Sequence, residues 1–107
     1  MAPIDFQRAR RFVASVPEGR WTTFKGVATA GGNPRGGMAV GQWLRLNGAT
    51  IPNYWRVLRS DGYIPDNFRS TAPSPAKDAD SARSVLRSEG VRIGTTGRAD
   101  KSQRYLV

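Results

Sequence analysis

Apolar residues recur with a helical period in four stretches of the chain. Between Asp5 and Val16, Phe6, Ala9, Phe12, Val13 and Val16 fall on one side, with Arg8, Arg10 and Arg11 on the other. This predicts an amphipathic helix that Pro17 ends. After the turn VPEGRW, Phe24, Val27 and Ala28 recur at helical spacing in FKGVATA, with Thr22 or Thr23 as cap and Gly31-Gly32 as stop. Asn33, Pro34 and Arg35 make a tight connection to a third helix, about Gly37 to Leu46. Met38, Ala39, Val40, Trp43, Leu44 and Leu46 give it one apolar face, and Gly36, Gly37 and Gly41 keep it thin enough to enter a groove. A last helix spans Asp80 to Glu89, with Ala82, Val85 and Leu86 inward and Gly90 closing it.

Beyond Gly48 the periodicity changes. WRVL, within Tyr54 to Arg59, and Tyr63-Ile64 flank SDG, which predicts a β-hairpin turning at Asp61-Gly62, and VRI adds a short strand. In such a strand the side chains of Tyr54 and Trp55 point to opposite faces. Pro65 to Lys77 is rich in Pro, Ser and Ala and reads as a surface loop. The polar tail is anchored by Tyr105 and Leu106. Two short helices joined by a Gly/Asn/Pro turn, followed by a hairpin, predict a winged helix-turn-helix in the α+β class, mainly helical. Its 107 residues fit a single domain, 1–107.

Charge adds a partner to this picture. There are 17 Lys+Arg against 8 Asp+Glu, a net charge of +9, and the cations are mostly Arg, whose flat fork suits phosphates and base edges. A polyanion is the expected partner, rather than a membrane surface. MAPIDFQRARRF has no apolar run long enough for a signal or a membrane span, so a cytoplasmic protein is expected, nucleoid-associated if bacterial. Arg35, Arg45, Arg56 and Arg59 bracket the third helix and the wing, where a duplex backbone would pass.

Composition also removes chemistry. With no Cys there is no thiolate nucleophile or disulfide, and with no His the usual acid/base group and metal ligand is missing. Asp78 and Asp80 can hold a divalent ion, but as DADSAR before an apolar run they read as a helix cap. Neither metal nor cofactor is expected. Two rival readings stay open: a plain winged-helix regulator with Tyr54 and Trp55 in its core, and a metal-dependent enzyme using Asp61 or Asp66.

The order and spacing of these short motifs resemble the O6-alkylguanine-DNA alkyltransferases, and the whole chain resembles the alkyltransferase-like proteins that lack the reactive cysteine. Ala39-Val40-Gly41 matches the recognition helix of that family, Arg45 a basic residue on it, and Asn47 the hinge Asn. Ile51-Pro52 and Arg56-Val57 frame the Pro-Cys-His-Arg-Val motif. Counting back from Arg56-Val57, Tyr54 falls at the acceptor cysteine and Trp55 at the histidine; counting from Pro52, Asn53 falls at the cysteine and Tyr54 at the histidine. Phe24 stands at the Tyr that helps rotate a nucleotide, and Asn33-Pro34 matches the helix entry. Ser60 and Gly62 match the Ser and Gly after the active-site strand, and Asn67 or Phe68 lies near the pocket lid. The family's intercalating Arg is replaced by Met38.

The resemblance implies a non-enzymatic, monomeric reader of double-stranded DNA. Phe24, Lys25, Asn33, Arg35, Met38, Ala39, Gly41, Gln42, Arg45, Asn47 and Arg59 would contact the duplex through its minor groove. Met38 would wedge the stack. Asn53, Tyr54, Trp55, Arg56, Ser60 and Phe68 would surround an extruded O6-alkylguanine. The lesion would then be flagged for nucleotide excision repair proteins, with no alkyl transfer.

Overall fold

The computed structural model describes residues 3–47, 50–64 and 78–105. The expected loop from Pro65 to Lys77, with Asp66, Asn67 and Phe68, lies outside the described residues, as does Leu106. The predicted helices form, and three start on side-chain caps. In α1 (Phe6–Ser15) the Asp5 carboxylate accepts from the backbone N–H of Gln7 and Arg8. In α2 (Phe24–Ala30) Thr23 Oγ1 accepts from Gly26 N–H at 2.9 Å. After α3 (Gly37–Asn47), α4 (Ala79–Ser88) opens on a capping box between Asp78 and Ser81. Each such cap is worth about 1 kcal/mol. Asp80 pairs with Arg83 at 2.6 Å. Among the described residues, no three acidic side chains gather to hold a metal.

The predicted hairpin is reduced to one closing bond, from Arg59 N–H to Tyr63 O at 3.2 Å, and the extended strand pairing is a longer-range one. Strand β1 (Thr22–Thr23) runs parallel to β2 (Val57–Leu58), with Thr22 opposite Val57 and Thr23 opposite Leu58. An isolated hairpin is marginal, whereas this pairing buries all four residues. The turn itself survives: Gly62 N–H donates to Arg59 O at 2.8 Å, with Gly62 at φ +82°. Tyr63 then bridges Arg98, and Ile93 in the expected VRI strand bridges Ala99. A Cβ at Gly62 would lie 2.9 Å from Ala99 O, so that glycine permits both the turn and the close approach.

Tyr54 and Trp55 also depart from the expected strand. Asn53 takes the left-handed conformation at φ 61°, and Arg56 N–H donates back to Asn53 O, closing a 3-10 turn over Tyr54–Arg56. Asn is among the few residues with a Cβ that visit this region readily. The turn brings the Tyr54 and Trp55 rings edge to face, 5.5 Å apart, instead of sending them to opposite faces.

Two hydrophobic clusters make the core. One gathers Ala9, Val13, Val27, Ala28, Val40, Ile51, Tyr54 and Val57 from the helices α1–α3 and the chain around the 3-10 turn. The other gathers Trp21, Leu58, Ile64, Ala82, Leu86, Val91 and Ala99. Trp55 packs against both. Trp21, fully buried, donates its indole N–H to Asp100 O at 2.8 Å, and Tyr105 N–H donates to Trp21 O, which fastens the tail.

Candidate nucleic-acid interface

The connection Gly31–Gly36 positions α3. Gly31 N–H donates to Val27 O and Asn33 N–H to Ala28 O, ending α2, and the Asn33 carboxamide accepts from Arg35 N–H at 3.1 Å. Asn33, 9% exposed, thus shapes the entry to α3 from inside. Arg35 is left exposed beside it.

On α3 the apolar positions do not form one inward face. Val40 is buried and Trp43 and Leu44 are half-buried, while Met38 is 90% and Leu46 73% exposed. Met38, Ala39, Gln42 and Arg45 line one exposed face. An apolar side chain standing free in the first turn of a helix has lost nearly all the burial its chemistry favours. The glycines take a different side. A Cβ at Gly37 would meet the Phe24 Cβ at 3.8 Å, and one at Gly41 the Phe24 ring at 3.9 Å. The thin side of α3 therefore accommodates half-buried Phe24, next to exposed Lys25 at the start of α2. At the other end, the Asn47 amide donates to Trp43 O, helping to finish the helix.

The aromatic turn is held from behind by a carboxylate. Glu89 accepts from Trp55 Nε1 at 3.2 and 3.3 Å, and from Arg56 Nε at 3.0 Å and Nη2 at 2.7 Å. Arg56 Nη1 donates to Val16 O at 2.7 Å, and the guanidinium lies 5.5 Å from the Trp55 ring centroid. Arg56 is 6% exposed, so it is not the surface phosphate contact expected from its place in a basic chain. Its planar fork is satisfied by one carboxylate and one carbonyl, as a buried guanidinium requires. Glu89 was overlooked as a site residue in the sequence; its signal is an acid at the end of an amphipathic helix, directly before the stopping Gly90.

The remaining candidates spread around this turn. The Asn53 amide donates to Ala14 O at 3.1 Å, and Arg10 donates to Thr50 O, so α1 carries the segment that leads into Tyr54. Tyr54 is 6% exposed and Trp55 is half-buried. Ser60 is exposed on the following turn, and the Arg59 guanidinium lies 5.9 Å from the Tyr63 ring centroid. Asp61 accepts from Tyr63 N–H, which makes it a turn residue.

The model of the 6-O-methylguanine DNA methyltransferase DNA-binding domain matches residues 5–91. Two curated relatives, each named DNA base-flipping protein, come from Escherichia coli K12 and Shigella flexneri. Each is 37% identical over 101 residues, covering 92% of this chain and 70% of its own length. The fold is similar to that of S. pombe Atl1, solved in complex with damaged DNA containing O6-carboxymethylguanine. That likeness has a TM-score of 0.71 at 21% identity, covering 95% of this chain and 94% of the other.

Proposed function

The chain belongs to the family of the 6-O-methylguanine DNA methyltransferase DNA-binding domain, and from that premise we propose that it reads O6-alkylguanine in duplex DNA without repairing it. The exposed face of α3 docks in the minor groove, and Met38 enters the base stack in place of the extruded nucleotide. Apolar wedges unstack base steps in this way. Phe24 crowds the phosphate of the rotating nucleotide, and Arg35, Arg45 and Lys25 hold the backbone. The extruded base meets the turn of Tyr54 and Trp55, whose orientation Glu89 sets.

Extrusion costs a few kcal/mol, and least for a weakly paired damaged base, so part of the selection happens before the pocket is reached. Nothing further can follow chemically on these residues. The sequence has no cysteine to accept the alkyl group, so the complex shields or marks the lesion. Handing it to nucleotide excision repair proteins, by a monomer, completes the reading.

The observation that carries this proposal is Met38, 90% exposed on the first turn of α3, with exposed Arg35 three residues before it and exposed Arg45 further along the same helix. A duplex with 2-aminopurine beside O6-methylguanine tests it. Binding should brighten the 2-aminopurine as the stack opens, and Met38→Ala should keep most affinity while losing most of the brightening. Equal brightening by the variant would remove Met38 from the mechanism. One observation favours a second reading: Tyr54, 6% exposed, is packed as a core residue. On that reading the protein is a DNA-binding regulator that is indifferent to alkylation, and it would leave the 2-aminopurine dark.

A further inference from the structure

Two arginines on α1 have no part in the fold. Arg8 and Arg11 are both exposed and stand three residues apart, hence side by side on the helix surface. Neither guanidinium has a hydrogen-bond or carboxylate partner among the described residues. Arg10, on the other flank of α1, differs: it donates to Thr50 O and holds the chain beyond α3. Local physics disfavours the exposed pair. Arg8 lies in the first turn of α1, which holds no acid, so its charge stands at the positive end of the helix dipole. Arg11 adds a like charge one turn along. Asp5, the acid nearest in sequence, commits its carboxylate to the backbone N–H groups of Gln7 and Arg8. A local rule broken with no compensating contact points to a role outside the fold.

The pair is continuous with the face proposed to meet DNA. Asp5 N–H donates to Gly31 O at 2.9 Å, and the Ile4 side chain occupies the space a Cβ would need at both Gly31 and Gly36. These contacts fasten the start of α1 to the connection between α2 and α3. Arg8 Nη1 lies 3.7 Å from where a Cβ would stand at Gly32, so the guanidinium sits over that connection. Gly32, Pro34 and Arg35 are exposed along it. A track of cations therefore runs from Arg35, at the entry to α3, past Gly32 to Arg8 and then to Arg11. The sequence places no acid between Glu18 and Asp61 to interrupt it.

We infer that Arg8 and Arg11 hold the phosphate backbone of the duplex flanking the site where α3 docks, on the side of the α2–α3 connection. The inference rests on the proposed function for its register, because only a flipped lesion fixes which flank passes α1. Charge complementarity and continuity with the face of α3 select this occupant: a run of cations suits a polyanion that already lies on Arg35. Side chains whose Cβ atoms are about 5–6 Å apart can hold neighbouring phosphates, each by a planar fork. Contact with the backbone alone carries no sequence or lesion information, so it strengthens damaged and undamaged binding alike. The footprint is thereby longer than the groove that α3 occupies.

Two double variants and a trimmed duplex test this. Arg8→Gln with Arg11→Gln removes both charges and keeps helix-forming side chains. Arg83→Gln with Arg92→Gln removes the same charge from the ion pairs with Asp80 and Asp100, and serves as the control. Both are titrated beside wild type over a salt series, with duplexes of about two helical turns carrying a central O6-methylguanine or guanine. The α1 variant should lower the slope of log affinity against log salt by about 2 on both duplexes, roughly sixtyfold in affinity at 0.1 M salt, and the control should not. Its urea midpoint should equal or exceed that of wild type, which a structural role for either arginine would not allow. Trimming the lesion duplex to about half a turn on one side of the lesion should erase the difference between wild type and variant, and trimming the other side should preserve it. An unchanged slope, an equal fall in the control, or indifference to the side trimmed would overturn the inference. Equal binding of both duplexes by wild type would sink the proposed function, while the slopes on undamaged DNA would still report on Arg8 and Arg11.

Discussion

The two halves of the chain treat charge in opposite ways. Up to Thr50 there are seven Lys or Arg against two acids, and from Ile51 onward ten against six. The described ion pairs all use arginines of the second half: Arg56, Arg83, Arg92 and Arg98. Arg8, Arg10 and Arg11 on α1, Lys25 on α2, Arg35 just before α3 and Arg45 on it have no carboxylate partner among the described residues. The first half also leaves Met38 and Phe6 open, while the second covers its aromatic turn with Glu89. One half holds a turn in place; the other offers cations whose counterions a bound duplex would release.

The comparison breaks most sharply at the buried pair. Glu89→Ala strands the Arg56 guanidinium and should cost about 3–5 kcal/mol of stability, measured by urea unfolding. Replacing both partners with apolar residues should recover most of that loss, because a buried ion pair rarely outperforms good packing. Binding of an undamaged duplex by folded Glu89→Ala should change little, since the Glu89 side chain bonds to Trp55 and Arg56 rather than to α3. A milder loss than that of an exposed pair would mean that the turn is not held as described.

On the open half the effects move from stability to affinity. Arg35→Ala and Arg45→Ala should each leave stability within about 0.5 kcal/mol. Each should lower the slope of log affinity against log salt by about 1, roughly eightfold in affinity at 0.1 M salt. Gly41→Ala sharpens the contrast further. A Cβ there meets Phe24 at an ordinary contact distance, so helix propensity should raise stability by up to about 1 kcal/mol. If the backbone of α3 approaches DNA closely, the same change should weaken binding while the protein becomes more stable.

The smallest effect is at Asp100. Its carboxylate accepts from Ser102 N–H and Oγ–H at 2.9 and 2.8 Å and from Arg92 at 2.9 Å. The Ser102 bonds, with a smaller contribution from Arg92, hold its pKa below the usual 3.8. A lowered folded-state value gives stability that is complete above 3.8 and lost as pH falls through the folded value. Asp100→Asn should therefore flatten only the most acidic part of a stability profile, and only slightly, because the group is solvent-screened.

What the sequence discloses follows from range. The helices were legible because their signals are local: apolar spacing in FQRARRFVAS and SARSVL, and caps at Asp5, Thr23 and Asp78. The β1–β2 pairing was not, because Thr22 and Val57 are joined by a contact no short window contains. WRVL reads as a strand by residue type, yet the left-handed Asn53 tightens its start into a 3-10 turn. Arg56 shows a second limit. In a chain this basic each arginine reads as surface, and only the partner Glu89, 33 residues away, makes it an interior residue. Spacing put Met38 and Leu46 on one apolar face with Val40, Trp43 and Leu44, but the core has places only for the last three.

The central claim is that the open half docks on DNA so that the aromatic turn can read a lesion. The most direct measurement is a titration of a short duplex carrying one O6-methylguanine, and of its undamaged twin, at two salt concentrations. Trp21, Trp43 and Trp55 provide the signal. The account predicts a preference of tenfold or more, about 1.4 kcal/mol, that persists as salt weakens both complexes in parallel. Equal binding of the two duplexes, falling steeply with salt, would contradict it.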